Sequence, residues 1–136
     1  MASIRKEIVL ASDADTVWEA VRSFGALDQM ATGFVTNCRL EGTDRLVTFF
    51  TGTVLRERLI TIDDTRRRLV WSIVDGPYQH HNGSVELFED VGGGTRFEWT
   101  SDLLPDALED RTADMMDQGL AAIHAALSPD SAPAAA

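Results

Sequence analysis

The chain has 136 residues, 44% of them hydrophobic, which is enough for one domain with its own core rather than two domains. The formal net charge of −10 argues against binding to nucleic acid or to an anionic membrane surface, because both depend on clustered positive charge. One cysteine, Cys38, excludes an intramolecular disulfide. Neither an apolar run of ~20 residues nor a signal peptide is recognisable, so we expect a cytoplasmic protein with no membrane span.

The first thirty residues predict a strand followed by short helices. Ser3 to Ala11 alternates loosely between apolar and polar residues, which is typical of a strand. The segment Ser12–Asp15 offers a polar N-cap and acidic residues for a helix that ends at Gly25. A further helical turn is indicated over Leu27–Met30.

From Phe34 onward the apolar pattern has a period of two, which predicts strands. The predicted strands are Val35–Leu40, Arg45–Thr51, Thr53–Ile62, Arg68–Val74, Gly83–Glu89 and Thr95–Ser101. Short segments rich in glycine, aspartate and proline separate them, as expected of turns. Consecutive strands with such short connections favour an antiparallel meander.

One long helix is predicted at the end of the domain, from Asp106 to Leu127. It would be about 33 Å long at 1.5 Å per residue, which is enough to cross a whole sheet. Pro105 is compatible with its start, and no proline interrupts it. We expect residues 1–127 to form the domain and residues 128–136 to be a flexible tail.

The order of these elements resembles that of a known family. Together with Val17-Trp18, Leu69-Val70-Trp71-Ser72-Ile73 and Arg96-Phe97-Glu98-Trp99, it is similar to the START-related polyketide cyclase/dehydrase and lipid-transport family (SRPBCC), over about residues 3–127. The resemblance implies an α+β helix-grip fold: a curved antiparallel sheet of seven strands wraps a long C-terminal helix, and one or two short helices follow the first strand. It also implies carriage of a hydrophobic molecule or cyclase, aromatase or dehydratase activity.

In such a fold the cavity between sheet and helix is the expected ligand site. Methionine adapts to irregular shapes and aromatic rings offer flat contacts, a combination that suits a planar hydrophobic ligand. Strand alternation and helix spacing predict the side chains that line it, although for any one of them a place in a filled core is the simpler alternative. The predicted ligand-binding residues are Met30, Phe34, Phe49, Leu55, Leu59, Trp71, Ile73, Val85, Leu87, Phe97, Trp99, Met115, Met116 and Gly119.

Two ionisable side chains, Glu57 and His81, fall on apolar strand faces. A buried carboxylate must be paired, hydrated or protonated. Glu57 and His81 could then act as an acid/base pair for proton transfer at a carbonyl substrate. The alternatives are that Glu57 pairs with an arginine such as Arg39 or Arg45, and that His81 lies solvated in a loop.

Metal and cofactor sites are not predicted. His80 and His81 are adjacent and would point to opposite faces of a strand, so they cannot readily share an ion. Three functional hypotheses follow. The first is a module that binds a hydrophobic small molecule, and the second is a cofactor-free cyclase or dehydratase. The third is an acidic interaction protein whose helical segment Asp106–Asp117 docks a basic partner. A homodimer is compatible with each of them.

Overall fold

The computed structural model describes residues 1–127, so the predicted tail lies outside the described residues. Seven strands form one antiparallel sheet in the order β1-β7-β6-β5-β4-β3-β2. The strands are β1 (Ala2–Leu10), β2 (Val35–Glu41), β3 (Asp44–Phe49), β4 (Val54–Asp63), β5 (Arg68–Ile73), β6 (His80–Glu89) and β7 (Thr95–Leu104). The α-helices are α1 (Ala14–Arg22), α2 (Leu27–Met30) and α3 (Glu109–Ala126). This arrangement confirms the predicted α+β helix-grip fold.

The first helix begins where its sequence predicts and ends earlier. The Asp13 carboxylate accepts a hydrogen bond from the backbone N–H of Thr16 at 2.8 Å, so Asp13 is the N-cap. The helix ends at Arg22, and a 3-10 turn over Phe24–Ala26 follows it. Gly25 lies inside this turn, where a Cβ would lie 2.8 Å from Cγ of Leu40.

The C-terminal helix differs from the prediction at its start. A 3-10 turn covers Asp106–Leu108, with the N–H of Leu108 bonded to the carbonyl of Pro105 at 3.1 Å, and α3 continues directly from it. The apolar face of α3 then packs on the concave face of the sheet, where Met116 and Ile123 are buried. The long helix across the sheet is therefore confirmed, except that its first turn is not α-helical.

The β6–β7 hairpin is longer than its sequence indicates. Pairing begins at His80 with Leu104, whereas the period-two pattern predicts strands only from Gly83 and only to Ser101. Pairing with the neighbouring strand holds these additional residues in the sheet, although asparagine and aspartate, here Asn82 and Asp102, are poor strand formers. His81 therefore belongs to a strand, and the alternative that it lies in a loop is wrong.

One large core holds the sheet to the helices, and it includes Trp18 of α1 and Leu120 of α3. Phe88 of β6 follows the buried Leu87 and points to the convex face of the sheet. The ring of Phe88 lies there under the guanidinium of Arg96, 4.4 Å from its centroid. Within residues 1–127, no helix is long and apolar enough to cross a bilayer.

Candidate functional site

A cavity of about 390 Å³ lies between the concave face of the sheet and α3. The exposed residues of its wall come from three neighbouring segments: the β3–β4 loop, the β5–β6 loop and the first turns of α3. Thr51 lies in the first of these segments, Pro77 in the second and Arg111 in the third. They surround the mouth of the cavity, while the buried part of the wall extends under α3.

Part of the wall consists of residues that alternation along the strands identifies, and the rest comes from the helices and loops. Both Glu57 and His81 lie on it. So do twelve predicted ligand-binding residues, which are Met30, Phe34, Phe49, Leu55, Trp71, Ile73, Val85, Phe97, Trp99, Met115, Met116 and Gly119. Whether these residues bind a ligand stays a prediction.

Leu59 and Leu87 are the two predicted residues that do not line the cavity. Leu59 precedes an irregularity in the pairing of β4 with β5 and packs against the main core. Leu87 is buried in the same core, in the part of β6 near α1. Alternation identifies the face of a strand correctly here, but it does not tell how far along the strand the cavity extends.

Gly119 lies at a close contact of α3. A glycine in mid-helix indicates close packing, here on Trp18 or on the sheet, and the neighbours are Trp99 of β7 and Phe34. A Cβ at Gly119 would lie 3.0 Å from the Trp99 ring and 3.2 Å from the Phe34 ring. The missing side chain therefore lets α3 approach two aromatic residues of the cavity wall.

Several polar side chains line the cavity although they are not among the residues predicted from the sequence. Arg45 shares a strand face with Val47 and Phe49, so alternation could have identified it. Tyr78 and Thr112 come from a loop and a helix, and the hydroxyl groups of the two residues lie 2.7 Å apart. Neither segment has the period of a strand, so no sequence signal brings them together.

Glu57 pairs with Arg45, which was one of the alternatives that its sequence left open. The carboxylate oxygen Oε1 lies 2.8 Å from both Nε and Nη2 of Arg45. The third guanidinium nitrogen donates to the carbonyl of Phe24 at 3.2 Å, and the guanidinium carbon lies 4.0 Å from the centre of the Phe24 ring. Both charged side chains are buried, at 3% and 5% exposure, so each neutralises the other inside the wall.

His81 is held in one tautomer by the neighbouring strand. The backbone N–H of Ile73 donates a hydrogen bond to Nδ1 of His81 at 3.1 Å. A nitrogen that accepts a hydrogen bond carries no proton, so the proton of the neutral ring is on Nε2. Burial lowers the pKa of His81 to about 4, with a further decrease from His80 and an opposing effect of Asp102. At neutral pH the ring is uncharged, which differs from the titrating acid/base role expected from its sequence.

The two arginines next to Glu57 lie on the opposite face of β4. Arg58 and Arg56 both bind the carboxylate of Asp44, at 2.9 Å and 2.8 Å, and Arg56 also contacts Glu41. The hydrogen bonds from these two arginines lower the pKa of Asp44 to about 2. This ionic cluster lies on the convex face, so it belongs to the outer surface of the sheet and not to the cavity.

The wall holds few groups that could bind a metal. Among the described residues, its only carboxylate and imidazole ligands are Glu57, His81 and Asp114. Glu57 is already paired with Arg45, and Asp114 accepts a hydrogen bond from Gln118 at 2.9 Å. Within residues 1–127, no group of three or more histidine, cysteine, aspartate or glutamate side chains could hold an ion. The cavity therefore offers hydrogen bonds and apolar contact.

Solved structures similar to this one come from several bacteria. XoxI from Bacillus cereus matches with a TM-score of 0.84 and 19% sequence identity, over 93% of this chain and 96% of its own. A protein from Nitrosospira multiformis matches with a TM-score of 0.82 and 18% identity, over 96% and 99% of the two chains. A protein from Thermobifida fusca matches with a TM-score of 0.75 and 25% identity, over 91% of each chain.

Among curated proteins none matches the sequence. A family model does, and its match agrees with the resemblance noted in the sequence. The model described as polyketide cyclase / dehydrase and lipid transport covers residues 1–128. With the seven-stranded sheet closed around α3, this match assigns the chain to a family: it belongs to the polyketide cyclase/dehydrase and lipid-transport family.

Proposed function

We propose that this protein binds an apolar, ring-containing small molecule in the cavity between the sheet and α3. The observation that supports the proposal is the cavity itself, about 390 Å³ in a chain of only 136 residues. Interiors are normally packed with few voids larger than a water molecule, so a space of this size needs an explanation. Its volume falls within the range of about 300–1,000 Å³ that is typical of small-molecule sites.

The wall favours a flat ligand. Trp71 and Trp99 lie with ring centroids 6.3 Å apart, and Phe34 and Phe49 form an edge-to-face pair at 5.4 Å. Aromatic faces of this kind pack well against another ring. Met115 lies next to them on α3 and can adjust its shape to the ligand, since its side chain is unbranched.

Filling the cavity tests the proposal. Met115→Trp adds bulk on the cavity side of α3, and Ala125→Trp adds the same side chain on its exposed side. We expect titration with Nile red, a neutral environment-sensitive dye, to be saturable for the unmodified protein. The dye should bind about tenfold more weakly to Met115→Trp, a loss of about 1.4 kcal/mol, and unchanged to Ala125→Trp. Equal binding by all three proteins would contradict the proposal.

A second candidate function is proton transfer at a carbonyl substrate without a cofactor. It is favoured by one observation, the position of Glu57 and His81 on the same cavity wall. In this mechanism the cavity would hold a reactive ketone in one conformation, and Glu57 would accept a proton from the carbon next to the carbonyl. His81, being neutral, would donate a hydrogen bond to the carbonyl oxygen and stabilise the negative charge that develops there.

A further inference from the structure

The imidazole of His81 offers an unused hydrogen-bond donor to the cavity. Within residues 1–127, Trp99 Nε1 is the only fully buried side-chain nitrogen or oxygen that has no hydrogen-bond partner. The hydrogen bond of the His81 ring is made through Nδ1, and Nε2 forms none within the same residues. Nε2 is nevertheless not among the fully buried unpaired atoms. It follows that Nε2 is accessible from the cavity, although the residue as a whole is 4% exposed.

The carboxylate of Glu57 offers an unused acceptor by the same argument. Arg45 binds only its oxygen Oε1, through two nitrogen atoms. The second oxygen, Oε2, accepts no hydrogen bond from the described residues and is not among their fully buried unpaired atoms. It therefore faces the cavity as a hydrogen-bond acceptor, held in position by the buried guanidinium.

The donor and the acceptor lie across the sheet from one another. Glu57 of β4 is paired with Ile73 of β5, and the N–H of Ile73 reaches His81 of β6. Because neighbouring strands are 4.7–4.9 Å apart, the two residues start from backbone positions about 10 Å apart. Ile73 and the ring of Trp71 lie on the wall between them, so an apolar stretch separates two polar points.

The deep part of the cavity holds no net positive charge for an anion. Arg45 is neutralised by Glu57, and His81 is uncharged at neutral pH. Arg111 is the one basic side chain on the wall without an ion pair among the described residues, and it lies exposed at the mouth. Its own helix carries Asp110 and Asp114 beside it, so the mouth is not a strongly cationic site either.

From this arrangement we infer that the ligand is a neutral molecule with an apolar middle, a hydrogen-bond acceptor for His81 Nε2 and a hydrogen-bond donor for Glu57 Oε2. A carbonyl oxygen at one end and a hydroxyl group at the other fit these requirements. A carboxylate is selected against, because at the Glu57 end it would meet a second negative charge and at the His81 end only a neutral donor. This inference rests on the proposed binding function and specifies the class of ligand.

A series of naphthalenes that share one ring system tests the inference. The first probe is an acetylnaphthol with its carbonyl and hydroxyl at opposite ends of the rings. Acetylnaphthalene lacks the hydroxyl, naphthol lacks the carbonyl, and hydroxynaphthoate replaces the acetyl group by a carboxylate. We expect the acetylnaphthol to bind at least about tenfold more tightly than acetylnaphthalene, the lower range for a hydrogen bond to a charged group. Hydroxynaphthoate should bind most weakly of the four.

Variants of His81 test the donor separately. His81→Phe keeps a ring but removes the donor, so it should weaken binding of the acetylnaphthol about tenfold and leave binding of naphthol unchanged. His81→Gln keeps an N–H group near the position of Nε2 and should restore most of the affinity. His80→Phe changes the neighbouring exposed residue and serves as the matched control. Thermal unfolding of each variant verifies that it is folded.

The outcomes distinguish the inference from the proposed function. If none of the four naphthalenes binds although Nile red does, the inference fails and the proposed function stands; if Nile red does not bind either, both fail. If all four bind with equal affinity, the cavity binds apolar molecules but the inference is wrong. Tightest binding of hydroxynaphthoate, lost in Arg111→Ala, would also overturn it and would show that the cation at the mouth selects an anionic ligand.

Discussion

Because His81 is buried, the free energy of unfolding should depend on pH more strongly in the natural protein than in a variant that lacks this histidine. The pKa of His81 is about 4 in the folded protein, against 6.5 for an unhindered histidine. Between these two values the unfolded chain binds a proton that the folded chain does not. Above pH 6.5 the titration of His81 does not reduce the free energy of unfolding. As the pH falls from 6.5 towards 4, the unfolded state is protonated first and the free energy of unfolding decreases.

The size of the effect follows from the separation of the two pKa values. Full protonation of the unfolded state before the folded state costs about 3 kcal/mol, at 1.36 kcal/mol for each pKa unit. About 2 kcal/mol of this is lost already between pH 7 and pH 5, which stays above the isoelectric point near 4.5. Carboxylates add their own pH dependence, so the effect must be measured as a difference between two proteins.

Urea unfolding of the natural protein and of His81→Gln at pH 7, 6 and 5 provides this difference. Glutamine does not titrate, so we expect the natural protein to lose about 2 kcal/mol more than the variant over this range. The absolute stability of the variant is not critical, since only the change with pH enters the comparison. Parallel pH profiles, or an NMR titration of His81 with a midpoint near 6.5, would refute the assignment of a buried neutral ring.

Two further predictions concern close packing and the buried ion pair. Gly83→Ala would place a Cβ 2.6 Å from the Trp71 ring, so it should lower the free energy of unfolding by about 1–3 kcal/mol in the same urea assay. Gly92→Ala is the control: a Cβ there meets nothing within 4 Å, so the free energy of unfolding should change little. Glu57→Gln should lower the free energy of unfolding by about 3 kcal/mol, because it leaves Arg45 buried and unpaired. Adding Arg45→Met should recover most of the loss. If Glu57→Gln alone has no effect on stability, the pair is not buried as described.

The sequence predicted the strands well because most of them have one buried and one exposed face. β4 shows why: Arg56 and Arg58 alternate with Leu55 and Glu57, and the sheet separates the two sets. Alternation also identified Trp71 and Phe97 as inward-facing. The predicted boundaries were less accurate at the β6–β7 hairpin, since pairing through His80 and Leu104 is decided by cross-strand hydrogen bonds and not by the local sequence.

The polar features of the site were harder to predict. Finding the partner of Glu57 required the register of β3 with β4, which aligns Arg45 opposite it. The tautomer of His81 depends on a single backbone N–H, that of Ile73 on a neighbouring strand. Such facts depend on how strands are aligned. A period of two excludes a one-residue shift between strands, but it does not distinguish alignments that differ by two residues.

The ion pair in the cavity wall argues for recognition of a ligand. A buried pair such as Arg45 and Glu57 adds little net stability, because removing both charges from water costs about as much as their attraction returns, and hydrophobic residues of similar volume often replace such a pair without loss. Stability alone therefore gives no reason for a carboxylate at this position. The unpaired oxygen of Glu57 does give one, because an acceptor held by a buried guanidinium is oriented before any ligand arrives, and a preoriented hydrogen bond costs less entropy on binding.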